Sequence, residues 1–293
     1  MRYSISHRTT YHYPEPVSQC YSLAHLLPRQ TSYQRCLSAS LQIWPLPVMS
    51  VLREDYFGNQ TNAFTIQLEH QTLVVEAQSQ VEIVAEIPNL SLDFGLSCAD
   101  VLAQMKGVQT EETLIAREYV LPSPMVFVSD TLAEYARPSF DANRPFFSAV
   151  SELTRRIYQD FTYDPKFSSV STPLSEVLEH RRGVCQDFAH LAIGCLRSLG
   201  YAARYVSGYL ETLPPPGQAK LQGADASHAW FATYSPREGW CDFDPTNNLL
   251  VSTQHITTAW GRDFSDVTPL KGTLIGGGLD HQLIVEVDVE RLN

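Results

Sequence analysis

Nowhere in this chain of 293 residues does an apolar run approach the ~20 residues that a membrane-spanning helix needs. The opening stretch, residues 1–16, is polar and aromatic and lacks the apolar centre of a secretory signal. A cytoplasmic protein without a membrane partner is therefore expected. Cations are also scarce. With 21 Lys and Arg against 32 Asp and Glu, the formal net charge is −11. Phosphate binding needs clustered Lys and Arg, so nucleic acid is excluded as the principal partner. The six cysteines (20, 36, 98, 185, 195 and 241) form no CxxC pair, and the nine histidines form no HxxxH pair. In a reducing compartment this reads as free thiols rather than a disulfide framework. No metal and no cofactor are expected. Internal repeats and low-complexity tracts are missing as well.

What remains is the composition of a globular protein of one or two domains. Residues 1–95 alternate as strands do. Residues 71–87 are rich in Val and Ile with polar residues between, and residues 55–70 read as two strands around a Gly58-Asn59 turn. The expectation is an antiparallel, sandwich-like β domain over 1–95, serving packing or substrate selection. A connecting segment follows over 96–125, with a short helix near residues 97–107 and a linker at 121–125. The third unit, 126–293, reads as α+β. Phe147, Val150, Leu153, Ile157 and Phe161 fall on one helical face. Phe188, Leu191, Ala192, Cys195, Leu196 and Leu199 form a second stripe, closed by Gly200. Strands are expected at 201–210, 228–234, 239–244 and 282–292, with a loop at 214–227.

The chemistry concentrates around "GVCQDFAH", residues 183–190. Cys185 stands in the first turn of the Leu191/Cys195/Leu199 helix. Unpaired N–H groups and the positive end of the helix dipole there favour the nucleophilic thiolate. Cys195, on the apolar stripe, reads as a core residue. A nucleophilic cysteine needs a base, and the base needs an orienting group. His228 begins a strand in "DASHAW", and Asp244 ends the next in "WCDFDPTN". Asp242 and Asp244 share a face. If Ser235-Pro236-Arg237-Glu238 is the turn, the hairpin centre falls near residues 236 and 237, and a pairing in which residue numbers sum to 472 places Asp244 directly opposite His228.

The three segments 183–210, 225–230 and 239–247, in this order, resemble the bacterial transglutaminase-like family, a branch of the papain-like cysteine enzymes. Residues 255–273 resemble the region after the site in that family, and the first ~95 residues its preceding β domain. The resemblance implies a papain-like core of helices on an antiparallel sheet. It implies Cys185, His228 and Asp244 as the catalytic set, with a thioester formed from a carboxamide or peptide carbonyl. The calcium sites of animal transglutaminases are not recognisable here. A peptide, protein or isopeptide substrate is implied. Hydrolysis, acyl transfer to an amine, and binding on an inactive core all remain open, with hydrolysis slightly favoured.

Around this set, the Cys185 N–H is expected in the oxyanion hole. Gln186, Tyr209 and Trp230 are the candidates for substrate contact, although aromatics on core strands more often serve packing. Asp187 and His190 are spaced to touch. Asp187 either holds the site wall or satisfies local backbone donors.

Overall fold

A computed structural model describes residues 1–84, 92–107, 110–212 and 227–292. The first five elements are strands: β1 (Arg2–Ala24), β2 (Gln34–Trp44), β3 (Met49–Glu54), β4 (Gln60–Ile66) and β5 (His70–Ile83). Helices α1 (Cys98–Gly107), α2 (Glu111–Glu118), α3 (Asp130–Ala136) and α4 (Phe146–Asp160) follow. Strand β6 (Thr162–Tyr163), helix α5 (Leu174–His180), strand β7 (Arg182–Gly183) and helix α6 (Cys185–Ser198) come next. The chain continues through β8 (Ala203–Leu210), β9 (Ser227–Ser235), β10 (Gly239–Asp244), β11 (Leu249–Leu250) and β12 (His255–Gly261). It ends with α7 (Phe264–Val267), β13 (Leu270–Gly276) and β14 (Gln282–Leu292).

Strand β1 organises the first unit. Its residues 2–12 pair with β5 on one side and β14 on the other. Its residues 20–24 pair with β4 and β13. Between these halves the β5 register slips, where Pro14 and Pro16 cannot donate to a ladder. The result is one continuous seven-stranded antiparallel sheet, curled along β1. Val17, Cys20, Phe64, Ile66, Leu73 and Val75 fill its core. The first strand of the expected 55–70 pair lies upstream, in β3. Residues 55–59 form the loop, and Asp55 Oδ1 accepts the N–H groups of Phe57 and Asn59 at 2.9 and 2.8 Å.

Two of the sequence boundaries need correction. The tail beyond residue 270, read as part of the third unit, supplies β13 and β14 to the first sheet. The segment 96–125 is more than a connector. Cys98, Val101, Met105, Ala116 and Tyr119 are buried in the same core as Leu153, Phe188 and Phe231. The first helical stripe is as the periodicity predicts: Phe147, Val150, Leu153, Ile157 and Phe161 are all buried. In α6 Phe188, Leu191, Ala192, Cys195 and Leu196 are buried, but so is every residue from 187 to 197, and Leu199 is only partly buried, so the helix is enclosed on all sides rather than along one stripe.

The second sheet is antiparallel in the order β11-β10-β9-β8-β12. Helix α6 packs on β8 and β9. Edge strand β12 presents backbone groups that need covering, and the first unit covers them with two buried amides. Gln34 Nε2 donates to Thr257 O at 2.7 Å while its Oε1 accepts the Thr257 N–H at 2.8 Å. Asn59 repeats the pattern at Trp260, donating at 2.8 Å and accepting at 2.9 Å. Behind them Tyr3, Ile5, Val287 and Val289 pack on Tyr209 and Ile256.

Candidate active site

The site begins at the start of α6. Val184 is the N-cap residue, and its N–H donates to Asp187 Oδ2 at 2.8 Å. The Ser168 hydroxyl donates to the same oxygen at 2.6 Å. Asp187 therefore satisfies a helix-end donor, one of the two roles left open by its spacing. This explains Gly183: a Cβ there would stand 2.7 Å from Asp187 Oδ2. Cys185, partly exposed, is set in the first turn behind this lock. His190 does not join it. Its Nε2 accepts the Phe264 N–H at 3.1 Å, and burial holds its pKa down at about 4.

His228 and Asp244 meet from neighbouring strands, His228 Nε2 lying 2.8 Å from Asp244 Oδ2. The ring also interacts with the Cys185 sulfur. With Nε2 committed to Asp244, Nδ1 is the nitrogen left for the sulfur. Burial opposes charge on this imidazole, yet the contacts to Asp244 and Cys185 outweigh it and raise the pKa to about 10. Asp244 is completely buried. Burial alone would raise its pKa. Hydrogen bonds from His228, His255 and Asn247 reverse that and hold the carboxyl well below the usual range. Its Oδ1 accepts the N–H groups of Thr246 and Asn247 at 2.9 and 3.2 Å. The Asp-Pro-Thr-Asn turn is thus the clamp that fixes the carboxylate.

The hairpin register differs from the expected one. Gly239 pairs with Ser235 and Phe243 with Phe231, so paired numbers sum to 474. Gly239 sits at φ +79°, which accommodates a three-residue loop, Pro236 to Glu238, and moves the centre to Arg237. Each aspartate then reaches diagonally, two residues along the facing strand. Asp244 contacts His228, and Asp242 Oδ2 accepts from Trp230 Nε1 at 3.0 Å. Diagonal neighbours lie within range of long side chains.

Comparison with known proteins bears on this geometry. The bacterial transglutaminase-like N-terminal region matches residues 3–82, and the transglutaminase-like superfamily core matches residues 133–245. An uncharacterized protein of Mycobacterium tuberculosis is 38% identical over 292 residues, covering 98% of this chain and 92% of the relative. The chain belongs to the transglutaminase-like superfamily. A protein-glutamine gamma-glutamyltransferase of Pseudomonas aeruginosa is 29% identical over 119 residues, which is 38% of this chain and 18% of that protein. A solved structure from Cytophaga hutchinsonii, described as a candidate cysteine protease, shares the fold. Its TM-score is 0.72 at 22% identity, covering 100% of this chain and 92% of that one.

Within this transglutaminase-like core, the three residues proposed for substrate contact divide. Gln186 is partly exposed beside Cys185, its amide reaching Val170 O at 3.4 Å. Tyr209 and Trp230 require correction. Tyr209 is buried with its hydroxyl 3.1 Å from His7 Nδ1, and Trp230 is sealed behind His228 and His255. Neither borders open space, because each plugs a gap beneath the first unit or the imidazoles. Two neighbours escape the sequence reading. Tyr163 is half-exposed and close enough to feel the Cys185 charge. His255, buried at the start of β12, places Nε2 3.1 Å from Asp244 Oδ2. Tyr163 lies in none of the segments that carry the family resemblance, whereas His255 opens the 255–273 segment, eleven residues beyond Asp244, without a role having been read for it. The expected loop at 214–227 lies, up to residue 226, outside the described residues.

His228, Asp244 and His255 each bring a ligand-type atom within 4.8 Å of the others. A metal would need lone pairs there. His255 Nδ1 accepts the Ser252 N–H at 3.3 Å, so its Nε2 carries the proton and donates to Asp244. The cluster is thus already complete as a hydrogen-bonded unit.

Proposed function

We propose that this protein hydrolyses amide bonds through a thioester on Cys185. The observation that supports the reading is the connected set Cys185–His228–Asp244, with His228 favoured as imidazolium between a sulfur and a buried carboxylate. In this reading the Cys185 thiolate adds to the amide carbonyl and forms an S–C bond. The oxyanion is met by the Cys185 N–H, which lacks an intrahelical acceptor in the first turn. His228 gives its proton to the departing amine as the C–N bond breaks. The neutral ring then takes a proton from water, which attacks the thioester and frees the thiolate. The substrate is a peptide, protein or isopeptide amide, met in a reducing, cytoplasmic setting where the thiol stays free.

Acyl transfer shares the first half of this path, and the P. aeruginosa relative favours it as a second reading. One assay addresses both. Glutamine and isopeptide substrates are presented with a fluorescent primary amine, and released ammonia or amine is compared with amine incorporated. Release without incorporation supports hydrolysis, whereas incorporation overturns it in favour of transfer. Iodoacetamide near pH 6 should label Cys185 ahead of the other cysteines. Burial raises the thiols of Cys20, Cys36, Cys98, Cys195 and Cys241 above the ordinary value. Fast labelling elsewhere with an inert Cys185 would remove the basis of the proposal.

A further inference from the structure

Away from Cys185, three parts of the chain converge on a recess of about 430 Å³. The β3–β4 loop contributes Phe57, the end of α2 and its cap contribute Glu118 and Tyr119, and the second sheet contributes Arg204, Trp240 and Trp260. The arginine is the unusual element. Its guanidinium carbon lies 4.1 Å from the ring centre of Trp240 and 3.7 Å from that of Trp260. Arg204 is only 8% exposed, and its Nε, fully buried, has no hydrogen-bond partner.

A buried cation is ordinarily paired. The nearest carboxylate, Asp242, is engaged by the indole of Trp230 and the hydroxyl of Tyr33. It acts on Arg204 only through its charge. Among the described residues no acceptor takes the Arg204 N–H groups. A second arginine adds positive potential: Arg29 stacks 3.2 Å from the same Trp260 ring. Its terminal Nη1 and Nη2 groups are committed to Phe57 O and Asn59 Oδ1, while its buried Nε, like that of Arg204, has no partner. The recess therefore holds one uncommitted guanidinium fork at the end of apolar, aromatic walls.

We infer that this recess is a binding site for an organic carboxylate with a flat apolar body. With the Trp240 and Trp260 indoles stacked against the guanidinium, its N–H edge is the part that a ligand would meet. A carboxylate matches that edge with two parallel hydrogen bonds. The aromatic walls take the apolar part. Glu118 at the mouth, held by the Tyr56 hydroxyl at 2.7 Å, disfavours a phosphate dianion. The carboxylate belongs either to a free small acid or to a peptide C-terminus.

Calorimetric titration of the whole protein tests this with benzoate, benzamide, inorganic phosphate, and N-acetyl-phenylalanylglycine against its C-terminal amide. Saturable benzoate binding at least tenfold tighter than benzamide or phosphate is expected. Acetyl-dipeptide binding that exceeds benzoate, and that is lost in the amide, assigns the site to a chain terminus. The reverse order assigns it to a free acid. Arg204→Lys should weaken either ligand tenfold or more. Because a core arginine variant can fail to fold, Ile115→Glu, an exposed change at the recess wall, provides a second check. It should weaken binding several-fold by repulsion. No saturable carboxylate binding up to tens of millimolar, benzamide equal to benzoate, or binding unaffected in Ile115→Glu would each overturn the inference.

Discussion

His255 Nε2 donates to Asp244 Oδ2 across 3.1 Å, with both side chains fully buried. The same oxygen meets His228 at 2.8 Å. The two imidazoles therefore share one carboxylate oxygen, and the Ser252 amide fixes the proton of the inner ring on Nε2. In the proposed mechanism His255 is a positioning residue: it holds the carboxylate that contacts His228.

Removing that donor leaves a buried acceptor short of one partner, a penalty of about 1–3 kcal/mol. If the loss is felt mainly in the reacting state, His255→Leu lowers kcat roughly ten- to hundredfold with little change in KM. His255→Gln, which restores an N–H donor, should recover most of it. Steady-state kinetics on both folded variants decide the point. A glutamine variant no better than the leucine one would reduce His255 to a packing role.

The two aspartates of β10 should separate sharply. Asp244→Asn replaces an acceptor that fixes the His228 tautomer, and a loss of about 10⁴-fold accompanies that change in Ser-His-Asp enzymes. Asp242→Asn touches Trp230 rather than His228 and should stay within about fivefold. Comparable losses in both variants would mean that the sheet face, rather than the specific diagonal contact, governs activity.

This pair also shows what was legible in the sequence. The choice of Asp244 rested on a register of 472 and on the Asp-Pro-Thr motif. The register was two residues off because Gly239 at φ +79° lengthens the loop, a signal present in "REGW" but outweighed by Pro236. The motif pointed to the aspartate that contacts His228. The helical stripe of α4 was legible because burial repeats along contiguous residues. The destination of the tail was not. The pairing of Arg2 with Leu292 spans nearly the whole chain, and nothing local in β14 names its partner. His255 stayed hidden for a similar reason, since only the fold brings β12 behind Asp244.

Acid should weaken the first unit through His7. Burial lowers its pKa from the ordinary 6.5 to about 4. Its neighbours, the hydroxyls of Tyr209 and Thr9 at 3.1 Å, suit a neutral ring. The unfolded chain therefore binds a proton between these values that the folded one does not. The stabilisation is complete above about pH 6.5 and is lost as pH falls toward 4. At pH 4.5 the loss amounts to about 2–3 kcal/mol from this group alone. Urea unfolding at pH 7.5 and 4.5 measures it. His7→Gln should show a smaller pH difference than the unchanged protein, and an identical difference would assign acid sensitivity elsewhere.

The first unit should prove inseparable from the second. Gln34 pairs with both backbone groups of Thr257, two residues from His255, and is itself fully buried. Truncation would strip that cover from the edge of β12 and leave β13 and β14 without β1. A milder test is Gln34→Leu, which keeps the bulk but orphans one N–H and one C=O. At about 1–3 kcal/mol per unsatisfied buried group, the cost is roughly 2–6 kcal/mol. The first part of β12 to loosen carries His255. Hydrogen exchange should therefore rise first at residues 255–260, and Cys185 alkylation should slow before global unfolding begins. If Gln34→Leu unfolds the whole chain, Asn59→Leu at Trp260, farther along the strand, gives the same readout from the other end. Unchanged exchange across β12 in a destabilised but folded variant would show that the strand is held by its β8 ladder alone.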